Sequence, residues 1–182
     1  MSSFDNWKRY NVLEEHVIED LQLDAELKSG GALEVKEWAE EIAETADSLR
    51  DDKLPRVACE VATLVSEDES TIGGNVIHVY AGTVEVIDAR GDKAGRLEQV
   101  KSLVARIERR LMQAYQVSQA AAPHVTCKQL QDVTDDLEGA LGNSVRVALA
   151  GTEIDEEPFA GQSRAVATIR ILIEVELAIP ED

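Results

Sequence analysis

"AVATIRILIEVELAIPED", residues 165–182, alternates apolar and polar positions almost without fault before it closes on a proline and two acids. Taken in pairs, Ile169, Ile171, Ile173, Val175, Leu177 and Ile179 fall on one side, and Thr168, Arg170, Glu174 and Glu176 fall on the other. A period of two is the pattern of a strand with one buried and one wet face. Leu172 is the one large apolar residue on the wet side, which marks it as a contact point for a neighbour. Whatever the fold, it must give this long strand partners along its edges and a cover over its apolar face.

The nearest partner lies just upstream. "SVRVALAGTEI" (144–154) reads as a second extended run, and "DEEPFAGQ" (155–162) joins the two with turn residues, so the pair predicts a hairpin. Before it, Leu130, Val133, Leu137 and Leu141 recur at helical spacing and Gly142-Asn143 closes them, which predicts a short helix. Residues 93–115 carry the clearest helical stripe, formed by Leu97, Val100, Leu103, Val104, Ile107 and Leu111. Two more extended runs precede it. In "RVACEVATLV" (56–65) Val57, Cys59, Val61, Thr63 and Val65 share one parity, and "SEDESTIGGN" (66–75) reads as a polar connection. In "VIHVYAGTVEVID" (76–88) the apolar parity shifts from Ile77 and Val79 to Val84 and Val86, and Gly82 marks a bulge or bend.

At the N-terminal end, "NVLEEHVIEDLQL" (11–23) predicts a helix with Leu13, Val17 and Leu21 on one face. Asn11 and Glu14 have capping-box spacing, and Gly30-Gly31 ends or breaks the helix. Val35, Trp38, Ala39, Ile42, Ala46 and Leu49 then predict a second helix over 32–49, with its glutamates largely elsewhere. Pro55 stops it and sets up an extended entry. The predicted order is helix, helix, strand, strand, helix, helix, strand, strand. It implies an α+β fold with a mainly antiparallel four-stranded sheet and helices packed on one face. We expect one domain over 1–182, with an N-terminal arm and helix at 1–31 and a sheet-helix core at 56–179.

Composition agrees with that size. A chain of 182 residues can bury roughly 70% of its unfolded surface in one core. Aromatic residues are only 4%, so aliphatic side chains must fill the interior. Thirty-six acidic against 18 basic residues give a net charge of −18, which repels a nucleic-acid backbone and argues against sequence-reading of DNA. Cys59 and Cys127 form no CxxC pair and indicate neither a zinc site nor a disulfide framework; a reducing compartment suits them. No stretch approaches the ~18 apolar residues of a membrane span, and the start has no leader pattern, so a soluble cytosolic product is expected.

Chemical motifs are sparse. His16, His78 and His124 stand in neither HxH nor HExxH spacing, which favours surface or packing roles. Glu60, Glu85, Glu174 and Glu176 share the outward parity of their strands and can converge as paired carboxylates; a solvated or subunit-facing polar row is the plainer reading. No serine stands in GxSxG. "GDKAGR" (91–96) lacks phosphate-loop spacing and reads as a strand-to-helix turn with Asp92 as cap, and "RGD" (90–92) belongs to the same turn. Asp155, Glu156 and Glu157 lack an EF-hand pattern and read as an acidic loop tip. We expect no enzyme activity, no catalytic residue, no metal and no cofactor.

One asymmetry stands against the acidic background. The helix at 93–115 carries Lys93, Arg96, Lys101, Arg106, Arg109 and Arg110 against Glu98 and Glu108. Arg106, Arg109 and Arg110 are expected to project away from the apolar stripe. They are either a solvated face or a basic surface that meets an acidic one on a neighbouring copy, such as helix 32–49 or residues Asp155, Glu156 and Glu157. Together with Leu172, these are the candidate subunit-interface residues.

"VIHVYAGTVEVIDARGDKAGRLEQVKSLVARIERRL" and "SRAVATIRILIEVELAI", in this order of elements, resemble the tail terminator (tail completion) proteins of long-tailed bacteriophages. The resemblance covers residues ~56–179 in pattern: a strand pair, a long helix, and a closing hairpin with an alternating last strand. It implies a structural virion protein that forms a homohexameric ring, caps the tail tube, stops its polymerisation and joins it to the neck. The implied partners are further copies of the chain, the tail tube protein and a neck or head-completion protein. DNA would pass through the pore without sequence-specific binding, and no membrane is involved. The implied location is the tail-neck junction of the virion, after assembly in the bacterial host cytoplasm. The alternatives are another phage neck or head-completion component, an acidic cytosolic protein-binding module or chaperone, and a small enzyme built on outward strand carboxylates.

Overall fold

In a computed structural model, which describes residues 6–42, 45–70, 75–119 and 140–178, two α-helices lie on one face of a five-stranded mixed sheet. Helix α1 spans Asn6–Gln22 and α2 Lys93–Gln119. The strands are β1 (Glu37–Ala39), β2 (Arg56–Ser70), β3 (Asn75–Asp88), β4 (Ala140–Phe159) and β5 (Gln162–Ala178), in spatial order β1-β2-β3-β5-β4. β2–β3 and β4–β5 are antiparallel hairpins joined by an antiparallel β3–β5 pairing, while β1 pairs with β2 in parallel. The sheet is therefore five-stranded and mixed, where the periodicity predicts four antiparallel strands.

The long closing strand behaves as its alternation requires. It occupies an interior position between β3 and β4, and Ile169, Ile171, Ile173 and Val175 are buried beneath the helices. Val84 and Val86 of β3, Val57, Cys59 and Val61 of β2, and Leu103, Ile107 and Leu111 of α2 complete the same cluster. α1 adds Leu13, Val17 and Leu21.

The predicted helix over 32–49 does not form. Its residues turn at Gly30-Gly31, run along β2 as the short parallel strand β1, and continue into 3₁₀ turns at Ala46–Leu49 and Asp51–Lys53. Parallel pairing with Arg56–Ala58 supplies backbone bonds that local helical propensity would have supplied otherwise, and a helix there would align several glutamates. Val35 still reaches the main core, whereas Ile42 and Leu49 pack with Leu54, Ile87, Phe159 and Val166 on the opposite side of the sheet. The predicted helix around Leu130, Val133 and Leu137 lies outside the described residues; Leu141 and Gly142-Asn143 belong to β4.

Three further boundaries move. α1 already runs from Asn6, so Asn11 is interior to it and no capping box exists; the Glu14 carboxylate instead accepts a hydrogen bond from the Val61 backbone N–H at 2.7 Å. The polar run 66–70 continues β2 rather than forming a loop. Asp155, Glu156 and Glu157 lie in β4, which turns at Ala160 and Gly161, both at positive φ. Positive φ at both central residues is the geometry of the tightest hairpin turn.

The parity shift in β3 has a different origin from a bulge at Gly82. β3 pairs with β5 in unbroken register, and the irregularities lie in β2, at Val61/Thr63 and Leu64/Ser66. Ile77 and Val79 sit on the face opposite Tyr80, Val84 and Val86, half-buried. Gly82 faces the first β2 irregularity, where a Cβ would stand 2.6 Å from the Glu60 carbonyl oxygen. Gly82→Ala is expected to destabilise the fold by about 1–3 kcal/mol through forced backbone movement, read as a fall in the urea midpoint. An unchanged midpoint would remove that close approach from the account.

Candidate interaction site on the open sheet face

Because both helices occupy one face, the other face of the sheet carries every second residue outward. Strand register aligns these residues in rows. Ala58, Glu85, Thr168 and Glu153 follow one another across β2, β3, β5 and β4, and Glu60, Thr83 and Arg170 form the next row. On the other side come Ile87, Val166 and Asp155. A β4 irregularity between Leu149 and Gly151 brings Ala148 and Glu153 to the same face although they differ in parity.

Two adjoining concavities occupy this surface. The larger, about 370 Å³, lies among Ile42, Ile87 and Val166 with Glu85, Glu153, Asp155, Glu157 and Arg164 around it. The smaller, about 230 Å³, lies between Glu40, Glu41 and Ile42 on one side and Ala58, Glu60, Thr83 and Glu85 on the other. Arg164 is almost fully buried: its Nε donates to Glu157 Oε1 at 2.8 Å and its guanidinium stacks over the Phe159 ring at 4.1 Å. Of the outward glutamates considered as paired carboxylates or as a solvated polar row, Glu60 and Glu85 both line the smaller concavity. Glu174 shares the face farther along β5, and the side chain of Glu176 lies outside the described set.

The candidate interface residues separate. Alternation along β4 places Asp155 and Glu157 on the open face and turns Glu156 toward α2, where Lys93 and Arg96 each approach it at 2.7 Å. Hydrogen bonds from those two cations hold the Glu156 carboxyl below the usual carboxylate range. Arg106 donates to Asp24 at 2.6 Å and Arg110 donates to Asp20 at 2.7 Å, so these cations bind the α1 region of their own chain. Arg110 is buried and does not project into solvent. Arg109 remains exposed, and Leu172 is half-buried between Ala81 and Ala148.

Other expected chemistry takes structural roles. Asp92 accepts from the Gly95 N–H at 2.8 Å, the expected helix cap, and Arg96 donates to the Gly91 carbonyl in the same turn. His16 is buried in α1, and His78 Nδ1 lies 3.2 Å from the Tyr80 hydroxyl. Cys59 is buried, which pushes its thiol pKa well up and makes it a poor nucleophile; His124 and Cys127 lie outside the described residues. Among the described residues no three His, Cys, Asp or Glu side chains are grouped to hold a metal ion, and no helix is long and apolar enough to cross a membrane.

Periodicity placed Thr168 on the wet side of the last strand and Ile42 in a helix, and it gave Glu153 and Arg164 no part in a site. The signal for Glu153 was Gly151, which has φ +140° and adjoins the irregularity that changes its face. Neither a protein-family model nor a curated protein matches this chain.

Proposed function

We propose that the protein is a self-assembling structural component of a tailed bacteriophage, a tail terminator whose ring caps the tail tube and joins it to the neck. The observation that supports this reading most is the order of elements: a strand hairpin, a long helix and a closing hairpin with an alternating last strand, built into one sheet. These elements underlie the resemblance seen in the sequence. The sheet also has surfaces suited to joining copies. β4, a 20-residue strand, forms one edge, and β1 covers β2 only at Arg56–Ala58, leaving the rest of that strand edge without a strand partner among the described residues. Exposed strand edges of this length pair readily with another chain, and a head-to-tail contact that closes makes a ring.

The acidic surplus agrees with a conduit for DNA, because like charge prevents adhesion of the phosphate backbone. The work of such a protein is mechanical, and no residue is assigned a catalytic role. Its test is tube length. Added to polymerising tail-tube subunits from the same genome, the protein should yield shorter tubes carrying a ring at one end in electron micrographs. Tubes of unaltered length with bare ends would count against the reading.

A further inference from the structure

We propose that the open face of the sheet, over Glu60, Glu85, Glu153 and Asp155, is a docking surface for a lysine- and arginine-bearing segment of another protein. The first support is charge. Most cations near this face are engaged by their own chain: Arg164 with Glu157, Arg170 with Glu153, and Arg56 with Glu37. Glu40, Glu41, Glu60 and Asp155 have no cation partner among the described residues, in a chain of net charge −18. The second support is shape. The two concavities meet at Ile42 and Glu85, and each offers apolar side chains between carboxylates. Lysine and arginine bury an aliphatic stem and keep a charged head in polar surroundings, so they match such a surface.

The third support is Arg164, which lines the larger concavity. Its side chain is only 9% exposed, its Nε and Nη2 bind Glu157, and its buried Nη1 has no acceptor. A main-chain carbonyl seated in this concavity is the kind of acceptor that donor lacks. A metal ion or polyamine brings no acceptor, and nucleic acid brings the wrong charge. The chemistry selects a basic polypeptide. This surface stands whether or not copies of the chain close into a ring.

The test uses the full chain and a fluorescein-labelled octapeptide of alternating lysine or arginine and serine, followed by anisotropy at low and moderate salt. The expected result is saturable binding that E60Q/D155N weakens at least tenfold, while E15Q/E98Q, on exposed helix positions, changes it less than twofold. R164Q should weaken the peptide several-fold without weakening spermine, which gains from the freed Glu157 carboxylate. Carbodiimide coupling of the peptide to the unaltered protein, mapped by mass spectrometry, should mark Glu60, Glu85, Glu153 or Asp155, and it needs no variant to fold. Equal weakening by the helix variant, coupling spread over the whole surface, equal loss of spermine binding in R164Q, or duplex DNA binding as tightly as the peptide would each overturn the proposal.

Discussion

Arg110→Met is expected to lower the unfolding free energy by about 3–5 kcal/mol at pH 7, because it removes one partner of a buried ion pair and leaves the other behind. Asp20 is 1% exposed and Arg110 8% exposed, and the guanidinium donates to both carboxylate oxygens, at 2.7 and 3.3 Å. Burial already pushes the Asp20 carboxyl above its usual value, and the hydrogen bond and charge of Arg110 oppose that rise. Without Arg110 the folded-state pKa climbs further. An acid whose pKa is raised by folding binds its proton more tightly in the folded state, so its contribution favours folding at low pH and is lost as pH rises through the folded value. The variant should therefore lose less stability at pH 5 than at pH 7. Adding D20N should recover more than half of the loss. Urea unfolding followed by circular dichroism checks all three statements, and a loss under ~1 kcal/mol at pH 7 would show that this α1–α2 clamp carries little of the fold.

The second large effect separates the two faces of β5. Ile171→Ala should cost about 2–5 kcal/mol, as expected for removing methylene groups from a packed interior. Ile171 is 1% exposed within the main core. Leu172→Ala, one residue away, should cost less than ~1.5 kcal/mol, since Leu172 lies half-buried on the open face. Thermal unfolding checks the pair: a fall of roughly 4–20 °C is expected for the first and only a few degrees for the second. Equal falls would mean that the open face is covered as fully as the helical one.

What the sequence made legible was whatever repeats without interruption. The alternation from Ala165 to Val175 and the helical stripe from Leu97 to Leu111 are continuous, and each forms the predicted element with its apolar side in the core. Periodicity failed where one residue changes the phase. Strand β2 loses its parity after Val61, and β4 changes face at Gly151, so that Ala148 and Glu153 share the open face at opposite sequence parities. It failed again at 32–49, where spaced apolar residues fit a helix equally well but serve two different clusters, Val35 in the main core and Ile42 and Leu49 across the sheet. A stripe tells which residues are buried; it does not tell that they are buried against the same thing.

The basic residues of α2 carry the same lesson for function. Their clustering was visible, but their partners were set by long-range contacts, Asp20 and Asp24 at the end of α1 and Glu156 on β4. Charge that is unmatched locally was matched by tertiary structure. Among the described residues, Glu60 and Asp155 on the sheet face opposite the helices, with Glu40 and Glu41 beside it, keep no cation partner, which shifts the search for partners from the helix to the sheet.

On the proposed reading this chain works by assembling with copies of itself. Sedimentation velocity of the full chain at micromolar concentration and moderate salt, where repulsion between acidic copies is screened, measures it directly. A concentration-dependent species with the mass of six chains is expected. A single monomeric boundary that persists as concentration is raised would contradict it.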